Sequence, residues 1–382
     1  MSEALIWICG LIVVYWLLVT SRVLTVLREI RWLHPLSRPV GSVPLSVVIP
    51  ARNEEHGLAA SLRTVLCQEG VDLEVVVVDD HSTDETGRIA DAIAREDRRV
   101  VVIHDPPLHP GWLGKTNAMR EGAAVVSQPL LLFSDADVRH APTCFATALD
   151  VLESEGLDAV SLCPLWENES FWENVDVPFY FVGIARLLAL RTEDPASPGA
   201  VASGALILVR AEVLERVGGL EAIRSEILDD VALAKLLKRH GCRVGYRLAP
   251  ECLQVRMFKG WREAWFGLTK NILSAVGGRA WLGLPLIILA LVQNWAPILA
   301  LVLGVAHSQP LVAGAGLVTY LTQYAALFAA RRLVAFRAAP ALCYPLVALV
   351  ATANIARAVY YQASGRVHWR GRALRIGAPE RG

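Results

Sequence analysis

Apolar sequence is segregated to the two ends of this chain, and that segregation limits the folds open to it more than any motif does. Ala4–Thr20 is almost unbroken apolar sequence. Trp281–Gly304, Leu311–Ala330 and Ala339–Tyr361 repeat the pattern toward the C-terminus. Each approaches the roughly 20 residues that a helix needs to cross a bilayer. These runs account for a hydrophobic content of 54% and a mean hydropathy of +0.41. The middle, about Arg22–Gly278, has ordinary charge density and alternates strand-like and helix-like stretches, enough for one large or one and a half domains at roughly 100–200 residues per domain.

No lysine or arginine precedes the first apolar run, and Thr20-Ser21-Arg22 is a poor small-residue cleavage site, so an anchor is expected rather than a cleaved signal. Arg22, Arg28 and Arg31 follow closely, which places that side in the cytoplasm by the positive-inside rule. An outside N-terminus followed by three full C-terminal spans would leave Arg366, Arg370, Arg372 and Arg375 outside. A cytoplasmic tail is therefore expected, with one C-terminal segment re-entrant. The net charge of zero says little about partners, and no basic domain points to nucleic acid. The seven cysteines are scattered without a C-x-x-C pair and read as small buried apolar residues in a reducing compartment. Only five lysines occur, which draws attention to Lys115 inside a glycine loop.

Leu45–Pro50, Leu73–Val78, Val100–His104 and Leu130–Phe133 read as buried strands, with helices at about 56–68, 83–95 and 117–126 between them. Such alternation predicts a Rossmann-like parallel sheet, whose ligands sit at the carboxyl ends of the strands. Polar clusters fall at those ends. Ser82 or Thr83 is expected to cap the second helix. Further strands are expected at 159–162, 204–209 and 244–248, and helices at 177–190 and 228–239, the latter stopped by Gly241. Trp261, Trp265, Leu268 and Ile272 share one helical stripe, as in a helix lying in a membrane interface.

The strand ending at Phe133 runs into Asp135-Ala136-Asp137. Its two carboxylates would point the same way if the strand continued, and such a pair can hold one hard divalent cation. Four segments together, Val48–Glu55, Val76–Asp84, Asp135–Asp137 and Leu228–Asp230, resemble the family 2 glycosyltransferases over about residues 45–270. The resemblance implies the GT-A fold, a nucleotide-diphosphate sugar donor and a divalent metal, Mg²⁺ or Mn²⁺, on Asp135 and Asp137. The flanking apolar segments and Gly111–Ala118 resemble the lipid-directed members: ceramide glucosyltransferase-like, carotenoid-directed and hopanoid-associated enzymes, the last matching best in size and layout.

The residues can be assigned to the chemistry. Pro50, Ala51, Arg52, Asn53 and Glu54 offer backbone groups and a carboxylate suited to a nucleobase and ribose. Asp79 or Asp80 can accept a hydrogen bond from an imide N–H. Lys115, after two glycines, suits a phosphate as a point charge, and Asn117 is grouped with it, as is Asp135, among the substrate-binding residues. By the resemblance Asp230 is the general base. Asp229 stands where the family has Glu, which leaves open which of the two faces the acceptor; both could instead cap the helix that follows. The Gln/Arg-x-x-Arg-Trp motif of many membrane members is absent, and Arg256 and Trp261 are taken to serve the diphosphate and the acceptor.

The expectation is thus an anchor at 1–21, a cytoplasmic GT-A domain at 22–258, an interfacial amphipathic helix at 259–280 and a transmembrane bundle with a basic tail at 281–382. The expected activity is inverting transfer of one sugar to a lipid hydroxyl at the inner-membrane surface, by a multi-pass enzyme. The alternatives are a processive polysaccharide synthase, against which the altered motif argues, and an inactive membrane scaffold, against which the intact acids argue.

Overall fold

The computed structural model describes residues 3–39, 41–175, 177–178, 181, 193–194, 196–197, 199–261, 263, 283–364, 367–369 and 372–374. The chain divides into two compact units. One joins Ile30–Trp166 to Ala189–Arg256, and the other gathers Met1–Glu29, Glu167–Leu188 and Met257–Gly382.

The first unit is built on a seven-stranded sheet. Its strands are β1 (Val43–Ala51), β2 (Val71–Asp79), β3 (Val100–His104), β4 (Leu130–Phe133), β6 (Ala159–Cys163), β8 (Ile207–Arg210) and β9 (Val244–Leu248), in the order β3-β2-β1-β4-β8-β6-β9. β3, β2, β1 and β4 run parallel, as the alternation predicts. β8 is antiparallel to both β4 and β6, an inversion that the alternation does not reveal. Val47, Val48, Ile49, Val75, Val77 and Val78 are completely buried, because a parallel sheet is covered on both faces. Three short strands, β5 (Arg139–His140), β7 (Leu165–Glu167) and β10 (Leu253–Val255), pair beside the main sheet. At two or three residues each they are too short to leave an alternating pattern.

After the N-terminal helix α1 (Glu3–Glu29), helices α2 (Leu58–Leu66), α3 (Thr86–Glu96) and α4 (Gly114–Ala123) connect the first four strands. α4 lies close on the sheet because Gly122 has no side chain: a Cβ there would come within 2.4 Å of Val48 Cγ1. That approach brings the first turn of α4, with Lys115, to the carboxyl end of the sheet. Gly241 ends the helix Asp229–Arg239 with a left-handed φ of 78°, as expected. The expected cap of α3 is not found. Its N-cap is Glu85, with no side-chain cap hydrogen bond. The Ser82 hydroxyl instead accepts the Asn53 N–H at 3.0 Å, because the loops after β1 and β2 have backbone donors of their own to satisfy.

In the second unit the helices Glu3–Glu29, Gly283–Ala306, Pro310–Ala329 and Tyr344–Ser364 cover the four apolar runs. By length and composition, two described stretches suffice to cross a membrane: Gly10–Glu29, at mean hydropathy 2.0, and Pro310–Arg332, at 1.4. Gly283–Ala306 and Pro310–Ala329 form a hairpin whose close approach depends on glycine. A Cβ on Gly304 would lie 2.4 Å from Ala313 N, and one on Gly316 2.5 Å from Pro297 O. Small residues at such crossings are the rule where lipid removes the hydrophobic drive between helices. Of the expected helix 177–190 only 177, 178 and 181 are described, all helical, and most of the stripe from Trp261 to Ile272 lies outside the described residues.

Candidate active site

The carboxyl ends of β1, β2 and β3 share a local peculiarity. Asn53, His81 and Asp105 follow them with φ of 54°, 58° and 46°, a conformation rare outside glycine. Strained backbone of this kind clusters where a ligand must be met. The first two loops are laced together. Asp80 N–H donates to Ala51 O at 2.8 Å, Thr83 N–H to Asn53 Oδ1 at 2.8 Å and Glu54 N–H to Thr86 Oγ1 at 2.7 Å. Arg52 donates to Asp80 O at 2.6 Å. Pro50 and Ala51 carry the chain into this crevice from β1.

The two acids at the carboxyl end of β2 differ. Asp79 is turned inward: one oxygen accepts the Ser82 N–H at 3.2 Å and the other meets His104 Nδ1 at 3.3 Å. Gly87 closes over it, since a Cβ there would be 2.5 Å from Asp79 Oδ2. A hydrogen bond to Asp91, opposed by burial and helped by Asp79, raises the His104 pKa. Asp80 lies against Arg52 at 3.7 Å and His81 at 3.1 Å.

The second cluster forms around Lys115. The Leu113 N–H and the Thr116 hydroxyl both donate to Arg224 O, at 2.8 Å each, which fixes the glycine loop that starts at left-handed Gly111. Asn117 is fully buried; its amide donates to Pro107 O at 3.2 Å and accepts from His109 N at 3.5 Å. It therefore shapes the preceding loop. Lys115 Nζ lies 2.7 Å from Asp135 Oδ1 and 3.0 Å from Asp229 Oδ2. Burial opposes the ammonium, but Asp135, Asp229 and Asp230 outweigh it and hold its pKa well above the ordinary value. Burial, with repulsion from Asp229, pushes Asp230 the other way from an ordinary carboxylate, up to about 6.

Gly204 ties this cluster together, and the sequence reading missed it. Its N–H donates to Asp230 Oδ2 at 3.0 Å, and its carbonyl accepts the Asp135 N–H at 3.2 Å. A Cβ on Gly204 would stand 3.0 Å from both Lys115 Nζ and Asp135 Oδ2. A glycine within an apolar stretch can mark such a close approach. Behind the acids, the Ser134 hydroxyl donates to Ala205 O at 3.0 Å and lies 3.3 Å from His140 Nε2. Burial drops the His140 pKa to about 3, so the ring is neutral.

The strand pairing of Asp135 and Asp137 is corrected: β4 ends at Phe133 and both acids stand on a turn, closed by Val138 N–H to Asp135 O at 3.5 Å. Asp135 already meets a cation, the Lys115 ammonium, and hard carboxylate oxygens suit Mg²⁺ or Mn²⁺. Among the described residues, no three or more His, Cys, Asp or Glu are grouped to hold a metal by themselves. An ion here would complete its shell with phosphate and water oxygens. The helix-cap alternative for Asp229 and Asp230 is met only in part. Leu228 is the N-cap, without a side-chain bond, while Asp230 Oδ1 accepts the Val231 N–H at 2.8 Å. Arg256 closes the sheet unit, and Trp261 belongs to the other unit, packed against Trp172 with centroids 4.7 Å apart and rings tilted by 49°.

A mixed sheet with acids and a lysine gathered at the carboxyl ends of its parallel strands is the architecture of GT-A transferases. The solved mannosyltransferase PcManGT from Pyrobaculum calidifontis, in complex with GDP-Man and Mn²⁺, shares this fold at a TM-score of 0.53 and 20% identity, over 94% of this chain and 99% of that one. Residues 46–218 match the model of glycosyl transferase family 2. The chain is a glycosyltransferase with a family 2 domain. Curated relatives include the 4,4'-diaponeurosporenoate glycosyltransferases of Staphylococcus aureus strains RF122 and USA300, 27% identical over 344 residues and 26% over 340. Each alignment covers 87% of this chain and 88% of the relative. Of the three lipid-directed groups in the resemblance, the carotenoid-directed one is represented among these relatives.

Proposed function

We propose that the protein is an inverting, metal-dependent glycosyltransferase that moves one sugar from a nucleotide-diphosphate sugar to a membrane lipid. The observation that carries this reading is the convergence of Asp135, Asp229 and Asp230 on Lys115, with Gly204 bonded to two of the acids. The laced loops from Pro50 to Glu54 and around Asp79 and Asp80 would hold the nucleobase and ribose. Lys115 would turn from Asp135 to meet the donor's phosphates while Asp229 keeps hold of it. Asp135 and Asp137 would hold Mg²⁺ or Mn²⁺, which supplies a Lewis acid against charge developing on the leaving diphosphate.

Asp230 takes the acceptor's proton. It must be ionised to do so, and a pKa of about 6 makes it ionised yet basic near neutrality. The Gly204 N–H aims one of its oxygens. Asp229 stays paired with Lys115 and positions both. Arg256 is assigned to the diphosphate and Trp261 to the acceptor. Support for a lipid acceptor comes from the apolar helices and from relatives named for a carotenoid acid. The catalytic unit is placed on the cytoplasmic side of a multi-pass protein of the inner membrane.

The test is incubation of purified protein in lipid with a panel of radiolabelled nucleotide sugars, followed by organic extraction. Labelled lipid carrying one sugar, formed only with Mg²⁺ or Mn²⁺, is the expected product. Long water-soluble polymer would favour a synthase, and no metal-dependent turnover of any donor would favour a scaffold.

A further inference from the structure

The net charge of zero conceals a split. Residues 1–263 carry 26 Lys and Arg against 36 Asp and Glu, a net of −10, whereas residues 264–382 carry 11 against the single Glu380, a net of +10. The described part of that basic segment concentrates exposed charge at one place. Arg331, Arg332 and Arg337 all stand exposed in the loop that follows the helix Pro310–Ala329. The Arg331 guanidinium covers the Phe328 ring at 4.7 Å.

This loop is at a defined end of the apolar unit. The Thr20 hydroxyl meets Thr322 O at 3.3 Å, and Ile12 lies beside Ala315, Gly316 and Thr319. The helices Glu3–Glu29 and Pro310–Ala329 therefore run parallel. Both contain a stretch able to cross a membrane, and both finish in arginines on the same side, Arg28 on one and Arg331 with Arg332 beyond the other.

An aromatic strap is fastened to the same loop. Asn168 Nδ2 donates to Ala335 O at 3.1 Å, and the Arg337 N–H donates to Asn174 Oδ1 at 2.5 Å. The Ser170 hydroxyl accepts the Glu173 N–H at 3.3 Å and donates to Glu173 Oε1 at 2.6 Å, and Glu173 Oε2 accepts the Glu169 N–H at 2.9 Å, which fixes the start of the helical turn that follows. The same Glu173 carboxylate, fully buried, accepts the Gly260 N–H at 2.6 Å. These bonds hold Phe171, Trp172 and Trp261 in one cluster, with ring centroids 5.3 Å and 4.7 Å apart. Phe171 is 46% and Trp261 38% exposed, apolar area left uncovered beside the arginines. Glu167, Glu169 and Glu263 lie on the strap together with Lys259, while the loop 330–337 itself contains no acid.

Tryptophans at the ends of membrane helices settle at headgroup depth, and clustered arginines there favour anionic headgroups. We propose that the arginine loop Arg331–Arg337 and the strap Phe171-Trp172-Trp261 form a docking surface for an anionic phospholipid bilayer surface. This rests on the reading that the apolar unit sits in a membrane. Acidic lipid held here would fix the depth of the strap and of the acceptor-side residue Trp261.

The test places the full-length protein in phosphatidylcholine vesicles that contain, at equal low mole fraction, either brominated phosphatidylglycerol or brominated phosphatidylcholine. The quenching that Trp261→Phe removes is the signal of Trp261. Brominated phosphatidylglycerol is expected to quench it more efficiently by roughly fivefold, the factor one basic residue contributes beside an anionic surface. High salt should shrink the difference, and combining Arg331→Gln, Arg332→Gln and Arg337→Gln should bring the two lipids to parity. Equal quenching in the unaltered protein overturns the proposal whatever the variants do, as does a preference that survives the triple change. Failure to enter either vesicle refutes the membrane reading and this proposal together, which separates the two failures.

Discussion

The two units bury polar groups by opposite means. In the sheet unit charge is held against charge. Arg247, 2% exposed, is paired with Glu155 at 2.6 Å and with Glu193, and Lys115 is gripped by aspartates. In the apolar unit the buried polar groups of the described helices are mostly neutral, and a proline creates the need for several of them. Pro297 has no N–H to give to Gln293 O, one turn earlier. That carbonyl is taken up by Trp16 Nε1 at 3.1 Å and Gln323 Nε2 at 2.7 Å, while the Tyr15 hydroxyl donates to Gln293 Oε1 at 2.8 Å. Glycine differs in the same way. Gly204 makes room for ionic side-chain ends, whereas Gly304 and Gly316 make room for backbone. One unit stores electrostatic free energy that a ligand can redirect; the other removes every reason for its helices to separate.

If that contrast is right, the largest effects on chemistry come from single charges in the sheet unit. Asp137→Asn is expected to abolish metal-dependent turnover while the protein stays folded and inserted. Purified variant with excess Mn²⁺ checks it, and full activity would remove Asp137 from the metal. Asp230→Asn should follow, with a loss of roughly a hundred- to ten-thousand-fold and nearly unchanged affinity for the nucleotide sugar. Asp229→Asn should be milder. The sign of the pH dependence is set by Asp230: a carboxylate raised to about 6 is protonated and idle below that pH and ionised above it. kcat/KM should therefore rise through pH 6 and level off, and Asp230→Asn should flatten that limb. Single-turnover rates beside calorimetric binding decide the assignment. Near-normal rates in Asp230→Asn with loss in Asp229→Asn would move the base by one residue, and activity in both would leave the helix-cap role alone standing.

A smaller effect is expected from one substitution made in both units. Gly204→Ala puts a methyl against the ends of Lys115 and Asp135, which can move aside, so folding should survive and rate should fall by roughly ten- to a hundredfold from misplacement. Because Lys115 lowers the Asp230 pKa, its displacement should also move the pH limb upward. Gly316→Ala puts the same methyl against Pro297 O and Leu301 N, which cannot move aside without parting the helices. It should lower thermal stability and leave the rate per folded molecule alone. Equal behaviour of the two variants would erase the distinction drawn above.

How much of this was legible in sequence depends on the range of the interaction. The four parallel strands carry continuous apolar runs, and Asp135, Asp229 and Asp230 each follow a readable local pattern. The antiparallel entry of β8 leaves no local trace, since Ile207–Arg210 would look the same in either direction. Gly204 is invisible for a related reason: its importance comes from residues 26 positions later and 69 positions earlier meeting at its backbone. The cap expected of Ser82 went to Asn53, a partner 29 residues away. The charge split between the two halves, by contrast, stands in the sequence and is concealed only by taking one net value.

The smallest predicted effect probes the neutral network of the apolar unit. Gln323 is 2% exposed, and its Oε1 has no hydrogen-bond partner, while its Nε2 serves Gln293 O. Gln323→Leu removes both atoms. The lost bond is partly covered, because Trp16 Nε1 still reaches the same carbonyl, and the loss of the unpaired oxygen works in the opposite direction. Interhelical hydrogen bonds in membranes average only about 0.6 kcal/mol. The expected change is thus within about 1 kcal/mol of zero, read by reversible unfolding in mixed micelles, with turnover unaltered. A loss of several kcal/mol would mean that Gln323 does more than cap a proline-freed carbonyl, and the apolar unit would then depend on a buried polar group as strongly as the sheet unit depends on Lys115.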